Sequence, residues 1–149
     1  MNTSFKSKLL VCLLSLLLPG TGLHWLYLKG KSSIWFYLQL ACLILGIWGW
    51  FELARTDKAS LLGWFTVALG YISLLTSWLS TIVLGLRLDE RFDGQFNANS
   101  TQKNKSGWLV IVSIICALLI GAFVLMSGLA IAFEQYFVTQ VNAAREISQ

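Results

Sequence analysis

Every Lys, Arg, Asp and Glu of this chain falls outside four windows, 9–28, 32–51, 59–86 and 106–133. Roughly 20 apolar residues in a helix cross the hydrocarbon of a bilayer, and each window is at least that long. Charged residues make up 12% of the chain against 56% hydrophobic ones, about half the charge of a typical soluble domain. A globule of 149 residues has too small an interior to hide that much apolar surface from water. The expected fold class is therefore all-α, an integral membrane helical bundle. It should have three full transmembrane helices plus an N-terminal apolar segment that is kinked or re-entrant, four hydrophobic segments in all.

The first window is broken at Pro19, Gly20, Thr21 and Gly22. Proline removes a backbone donor and glycine frees the turn. Only 9–18 reads as uninterrupted helix, about 15 Å long and half the hydrocarbon thickness. The segment can span with a kink or dip in and return. Re-entry requires other helices to cover the broken backbone. Lys6, Lys8, an apolar run and the small residues at 20–22 also imitate a cleavable signal peptide, although cleavage would leave the apolar stretch 23–28 at the new terminus.

The second window predicts a helix from 33 to about 53, with Trp35 and Tyr37 near one end and Trp48 and Trp50 near the other, as in interfacial aromatic belts. Gln39 inside it is expected to hydrogen-bond between helices. The short connection 52–58 makes helices two and three an antiparallel hairpin. In the third window, Gly63, Gly70 and Ser77 recur every seven residues beside Thr66, Ser73 and Ser80. Such a stripe of small residues lets backbones approach closely; a hydrophilic pore lining is the sharper alternative. The fourth helix, 108–133, carries Ser113, Ala117 and Gly121, with Gly128 close to the same face, as a second packing series. Beyond Glu134 a further turn or more of helix is expected, with Phe137, Val138 and Val141 towards lipid.

Between these helices lies the polar stretch 87–107. Leu88, Phe92 and Phe96 are four apart, so a short helix here would lie on the membrane surface with its apolar side chains down; a solvated loop is the competing reading. Residues 100–106 read as a flexible linker. The chain thus divides into a hairpin unit 1–58, a third hydrophobic helix 59–86, a polar cytoplasmic loop 87–107, and a fourth hydrophobic helix with its tail, 108–149. The Lys29/Lys31 turn and the segment 87–105 lie on one side and together carry six basic residues, and Arg55, Lys58 and Arg145 fall opposite. Basic loops stay in the cytoplasm. A re-entrant first segment adds Lys6 and Lys8 to that side, and a spanning one puts them across from it.

The net charge of +4 sits in paired loop residues, which speaks against nucleic acid as a partner. Cys12, Cys42 and Cys116 lie inside apolar windows without a metal or disulfide spacing. His24, the single histidine, is expected to be a hydrogen-bonded structural residue. No nucleophile, phosphate-loop or metal-ligand motif occurs, so no catalytic, cofactor-binding or metal residues are expected. The leading expectation is a non-enzymatic membrane protein that scaffolds, assembles or modulates another component. Its partners would be the lipid bilayer and a membrane protein or a second copy of itself. The alternative is a small transporter or channel subunit acting as a homo-oligomer.

The stretch PGTGLHWLYLKGK, 19–31, with the helix after it, resembles the bacterial branch of the TM-two domain family. Gly20, Gly22, His24, Tyr27, Leu28 and Gly30 fall on that family's glycine-rich break and Gly-x-His-Arg-Phe-Tyr-Leu-Gly turn. Trp25 replaces the usual Arg and Leu26 the usual Phe, and Glu52 takes the place of the acidic residue that ends the second helix. The string LDERFDGQFN, 88–97, is similar to one that follows this domain in some related bacterial proteins. The resemblance implies a small module of the bacterial inner membrane and supplies no reaction.

Overall fold

The computed structural model of the protein describes residues 5–56, 58 and 60–147, and within them it is all-α, with helices joined by turns and no strands. The helices are α1 (Lys8–Leu17), α2 (Leu23–Lys29), α3 (Ile34–Arg55), α4 (Leu61–Leu86), α5 (Asp89–Phe96) and α6 (Trp108–Ile147), with a 3₁₀ turn at Gly30–Ser32. Three of them, α3, α4 and α6, are long and apolar enough to cross a membrane, and α1 is a shorter apolar helix. At 40 residues, α6 is about 60 Å long. The helix continues beyond Glu134, as expected, and runs on to Ile147, because neither Gly nor Pro follows Glu134 to break it.

What is inside and what is outside is inverted relative to a soluble protein. The buried polar residues include Ser15, Gln39, Thr66, Ser73, Ser77, Thr81 and Ser113, while Leu61 is 85% exposed, Ile34 75% and Phe123 74%. Apolar surface on this scale belongs against acyl chains.

α3 and α4 run antiparallel along a seam of small residues. A Cβ added to Gly46 would lie 2.5 Å from the Gly70 Cα, one at Gly49 would lie 2.1 Å from Thr66 Oγ1, and one at Gly63 would meet Leu53 at 2.8 Å. The missing side chains are what let the two backbones touch. Ser60 caps α4 by accepting from the Gly63 N–H at 3.1 Å. α6 then descends antiparallel to α4. Gly85 faces Ile114, Trp78 faces Gly121, and Tyr71 faces Gly128, with the Tyr71 hydroxyl donating to the Val124 carbonyl.

α1 and α2 do not cross this bundle. α1 starts beside the C-terminal end of α4, where Lys8 Nζ meets the Arg87 carbonyl at 2.5 Å. The chain turns at Gly20, against Leu43 and Leu74, twelve residues and about 18 Å down α4. It climbs back so that Leu28 packs with Val11, Leu84 and Phe92. Of the two conformations open to the sequence, the structure has the re-entrant hairpin.

Candidate functional site: a buried polar seam and its cap

The turn between α1 and α2 poses the problem of non-helical backbone held deep in the bundle. Gly20 and Gly22 adopt φ of 78° and 70°, conformations that cost a side-chain-bearing residue steric strain. Pro19 has no N–H to satisfy. The Gly20 N–H donates to Ser77 Oγ at 2.7 Å, and the Gly20 carbonyl accepts from Ser73 Oγ at 3.3 Å. The Thr21 hydroxyl donates to the Leu18 carbonyl at 2.7 Å. The freed backbone groups are thus taken up by Ser73 and Ser77 of α4 and by Thr21 of the turn itself, as a low-dielectric interior requires.

Gln39 of α3 locks the same point. Its Nε2 donates to Ser77 Oγ at 2.6 Å and to the Ser73 carbonyl at 3.1 Å, while Ser73 Oγ reaches the Gln39 carbonyl at 3.0 Å. Higher up, Ser15 and Thr81 hydroxyls are 2.7 Å apart, and Trp78 Nε1 donates to the Leu16 carbonyl at 3.4 Å. These contacts join α1, α3 and α4 through one polar line. From Gly63 to Thr81 the α4 stripe is a packing and hydrogen-bonding surface, covered by α3 in its lower half and by the hairpin as well in its upper half.

At the top of the hairpin sits a cap built around a buried cation. Lys8 is 3% exposed. Its three ammonium protons match three acceptors: the Arg87 carbonyl, Asp89 Oδ1 at 2.8 Å and Ser106 Oγ at 2.8 Å. Asp89 in turn accepts from the Ser106 N–H at 2.6 Å. Burial works to raise the Asp89 carboxyl, but hydrogen bonds from Lys8 and Ser106 outweigh it and hold it below the usual carboxylate range. The backbone ahead of α1 is gripped as well. Asn97 pairs with both Lys6 backbone groups, accepting from N–H at 2.8 Å and donating to the carbonyl at 2.9 Å. Asn104 accepts from the Lys8 N–H at 2.9 Å and donates to the Lys6 carbonyl at 3.0 Å. Asp93 orients both amides, receiving Asn97 Nδ2 at 2.8 Å and the Asn104 N–H at 2.7 Å. Burial tends to raise its carboxyl too, and the bonds from Asn97 and Asn104 prevail and lower it.

Two expectations change here. Phe92 does not face lipid: it is fully buried against Val11, Leu28 and Leu84, with Phe96 packed beside it, and only Leu88, 65% exposed, points outward. The reason is that the returning hairpin needs a lid, and α5 supplies its phenyl rings to that lid. Nor is 100–106 a free linker, since Asn104 and Ser106 are cap members. A buried charge, Lys8, also stands where the sequence reading had none.

The six residues of the turn motif fall around α2. Gly20 and Gly22 shape its entry and Gly30, φ 72°, its exit. Leu28 enters the core. The Tyr27 hydroxyl accepts from the Ser7 N–H at 3.0 Å, tying α2 to the gripped segment. His24 departs from expectation. It is fully buried, yet neither ring nitrogen has a hydrogen-bond partner, and its ring lies 5.3 Å from that of Trp25. Of the packing series, Gly63, Gly70 and Ser77 face α3 or the hairpin, Ala117 is fully buried, and Gly121 and Gly128 face Trp78 and Tyr71.

Lys8, Asp89, Asp93, Asn97, Asn104 and Ser106 escaped the sequence reading. A signal was present, because Asp89, Asp93 and Asn97 are four apart and so share one face of a helix. Among the described residues, no three His, Cys, Asp or Glu side chains gather as metal ligands. Comparisons with protein-family models, curated proteins and solved structures find no match for the chain.

Proposed function

We propose that this is a non-enzymatic, multi-pass protein of the bacterial inner membrane, built on a TM-two-like hairpin, that scaffolds, assembles or modulates another membrane component. The observation that carries this reading is the commitment of the interior. Gln39, Ser73 and Ser77, the polar groups at mid-bundle, are spent on one another and on the Gly20 backbone. What the molecule offers to others is its outer surface, above all α6, which packs along one side and leaves Phe123, Met126 and Phe133 exposed.

Sidedness follows from charge. Re-entry brings Lys6 and Lys8 to the end that holds Lys29, Lys31, Arg87, Arg91, Lys103 and Lys105, leaving Arg55, Lys58 and Arg145 opposite. The basic end is cytoplasmic by the positive-inside rule.

The test is extraction of a tagged chain from native membranes in mild detergent. A stoichiometric membrane-protein partner supports the reading and names the process. Recovery of the chain alone as a defined oligomer, together with a solute flux abolished by Gln39→Ala, replaces it with the transporter reading.

A further inference from the structure

We infer that the α2–α3 turn is a binding surface for anionic phospholipid headgroups, with Lys29 and Lys31 as its cations. This goes beyond the scaffold reading and does not depend on it.

The first observation is how the charges at this end are used. Eight basic residues gather there against Asp89, Glu90 and Asp93. Two of the three acids are engaged within the cap: Asp89 neutralises Lys8, and Asp93 holds Asn97 and Asn104. Glu90 alone stays outward. With Lys8 and Asp89 cancelling each other, seven basic residues remain against Glu90 and Asp93, so a surplus of five positive charges is left to face the headgroup layer.

The second is the shape of the turn. Lys29 and Lys31 are exposed on either side of Gly30, which has nothing within 4 Å of the place where its side chain would stand. An approaching headgroup meets no obstruction there. Lys29 Nζ lies 5.1 Å above the Trp25 ring, and Lys6 Nζ lies 4.8 Å above that of Tyr27. Aromatic faces hold the ammonium groups at a fixed height without neutralising them.

The third is what lies beneath. α3 begins directly after the turn with Ile34, 75% exposed, then Trp35 and Leu38, both more than half exposed. Cations stand over a bare apolar helix face, and that pairing matches an amphiphile, with phosphate above and acyl chain below. A free phosphate would use only the upper half. At the opposite end Arg55 and Lys58 are interleaved in sequence with Glu52 and Asp57, so no comparable surplus forms.

The experiment uses the full chain in a neutral, mild detergent, titrated with phosphatidylglycerol or with phosphatidylcholine of the same acyl chains. Bound lipid is counted by native mass spectrometry and the thermal midpoint is followed in parallel. The expected result is preferential retention of phosphatidylglycerol with a raised midpoint, weakening as salt increases. Exchanging Lys29→Gln and Lys31→Gln together should lower its affinity about 30-fold, whereas Lys58→Gln should leave it unchanged. Inorganic phosphate at matched concentration should not displace the lipid. Equal retention of the two lipids, an unchanged preference in the double variant, or displacement by phosphate would each overturn the inference. Both lysines are exposed, so the variant is expected to fold, and the salt dependence of the unmodified chain provides a check that needs no variant.

Discussion

The two halves of α4 carry the same kind of residue and solve different problems. From Gly63 to Gly70 the seam meets a regular helix, and what matters there is the absence of atoms: Gly46 and Gly70 are so close that neither tolerates a Cβ. From Ser73 to Thr81 the seam meets a broken backbone, and what matters is the presence of a hydroxyl at each point where the hairpin needs one. Small residues read alike in a sequence because both uses require low volume. Only the partner distinguishes them, and the partner of the upper half is a turn that arrives from more than fifty residues earlier.

The comparison breaks most visibly in the lower half. Gly70→Leu forces α3 and α4 apart, with a cost of about 3 kcal/mol or more expected in detergent unfolding. A tolerated leucine would mean the helices are not in backbone contact. Next comes the cap above the upper half, where the two partners of one ion pair should behave unequally. Asp89→Ala strands a buried ammonium, while Lys8→Met strands a carboxylate that still sees water, with 27% of its side chain exposed. The first should therefore be the more damaging, by about 2 kcal/mol. Equal costs would show that Lys8 reaches solvent.

In the upper half itself, Ser77→Ala keeps the volume but orphans the Gly20 N–H and a Gln39 proton, at about 2 kcal/mol. Thr66→Val is the matched control in the lower half. Its hydroxyl bonds only carbonyls of its own helix, those of Leu62 and Gly63, so the loss should be well under about 1 kcal/mol. If the two substitutions cost the same, the division of labour along α4 is wrong.

Acid should act on the cap and spare the seam. Asp89 and Asp93 are held below the ordinary carboxylate range in the folded protein. Their contribution is thus complete above the ordinary carboxylate range and is lost as pH falls through the lower folded-state values. Hydrogen exchange at the Lys6 and Lys8 amides should speed up on that descent, while the Gly20 amide stays protected. The smallest effect is expected at His24. It makes no hydrogen bond, so His24→Leu should be neutral or mildly stabilising; a large loss would reveal a partner for the imidazole.

Much of the architecture was legible because lipid imposes blunt rules. Charge-free windows of fixed length, a Pro-Gly break and a period-seven stripe need no knowledge of partners. The cap was not legible, since a lysine at the head of an apolar helix looks the same whether it enters the headgroup layer or a socket. Phe92 was misread for a related reason: spacing shows that Leu88, Phe92 and Phe96 share a face and cannot tell lipid below from a hairpin below. His24 ran the other way, where a general expectation of pairing met a site without a partner.

The defining feature of the fold is a hairpin that returns to the end from which it started. Single cysteines placed in a cysteine-free background at Phe5, Lys31, Lys103 and Lys58 can be labelled with an impermeant reagent from one face of oriented vesicles. Phe5→Cys, Lys31→Cys and Lys103→Cys are expected to react from one side and Lys58→Cys from the other. Labelling of Phe5→Cys together with Lys58→Cys would mean that the first segment spans the bilayer, and the re-entrant fold would be contradicted.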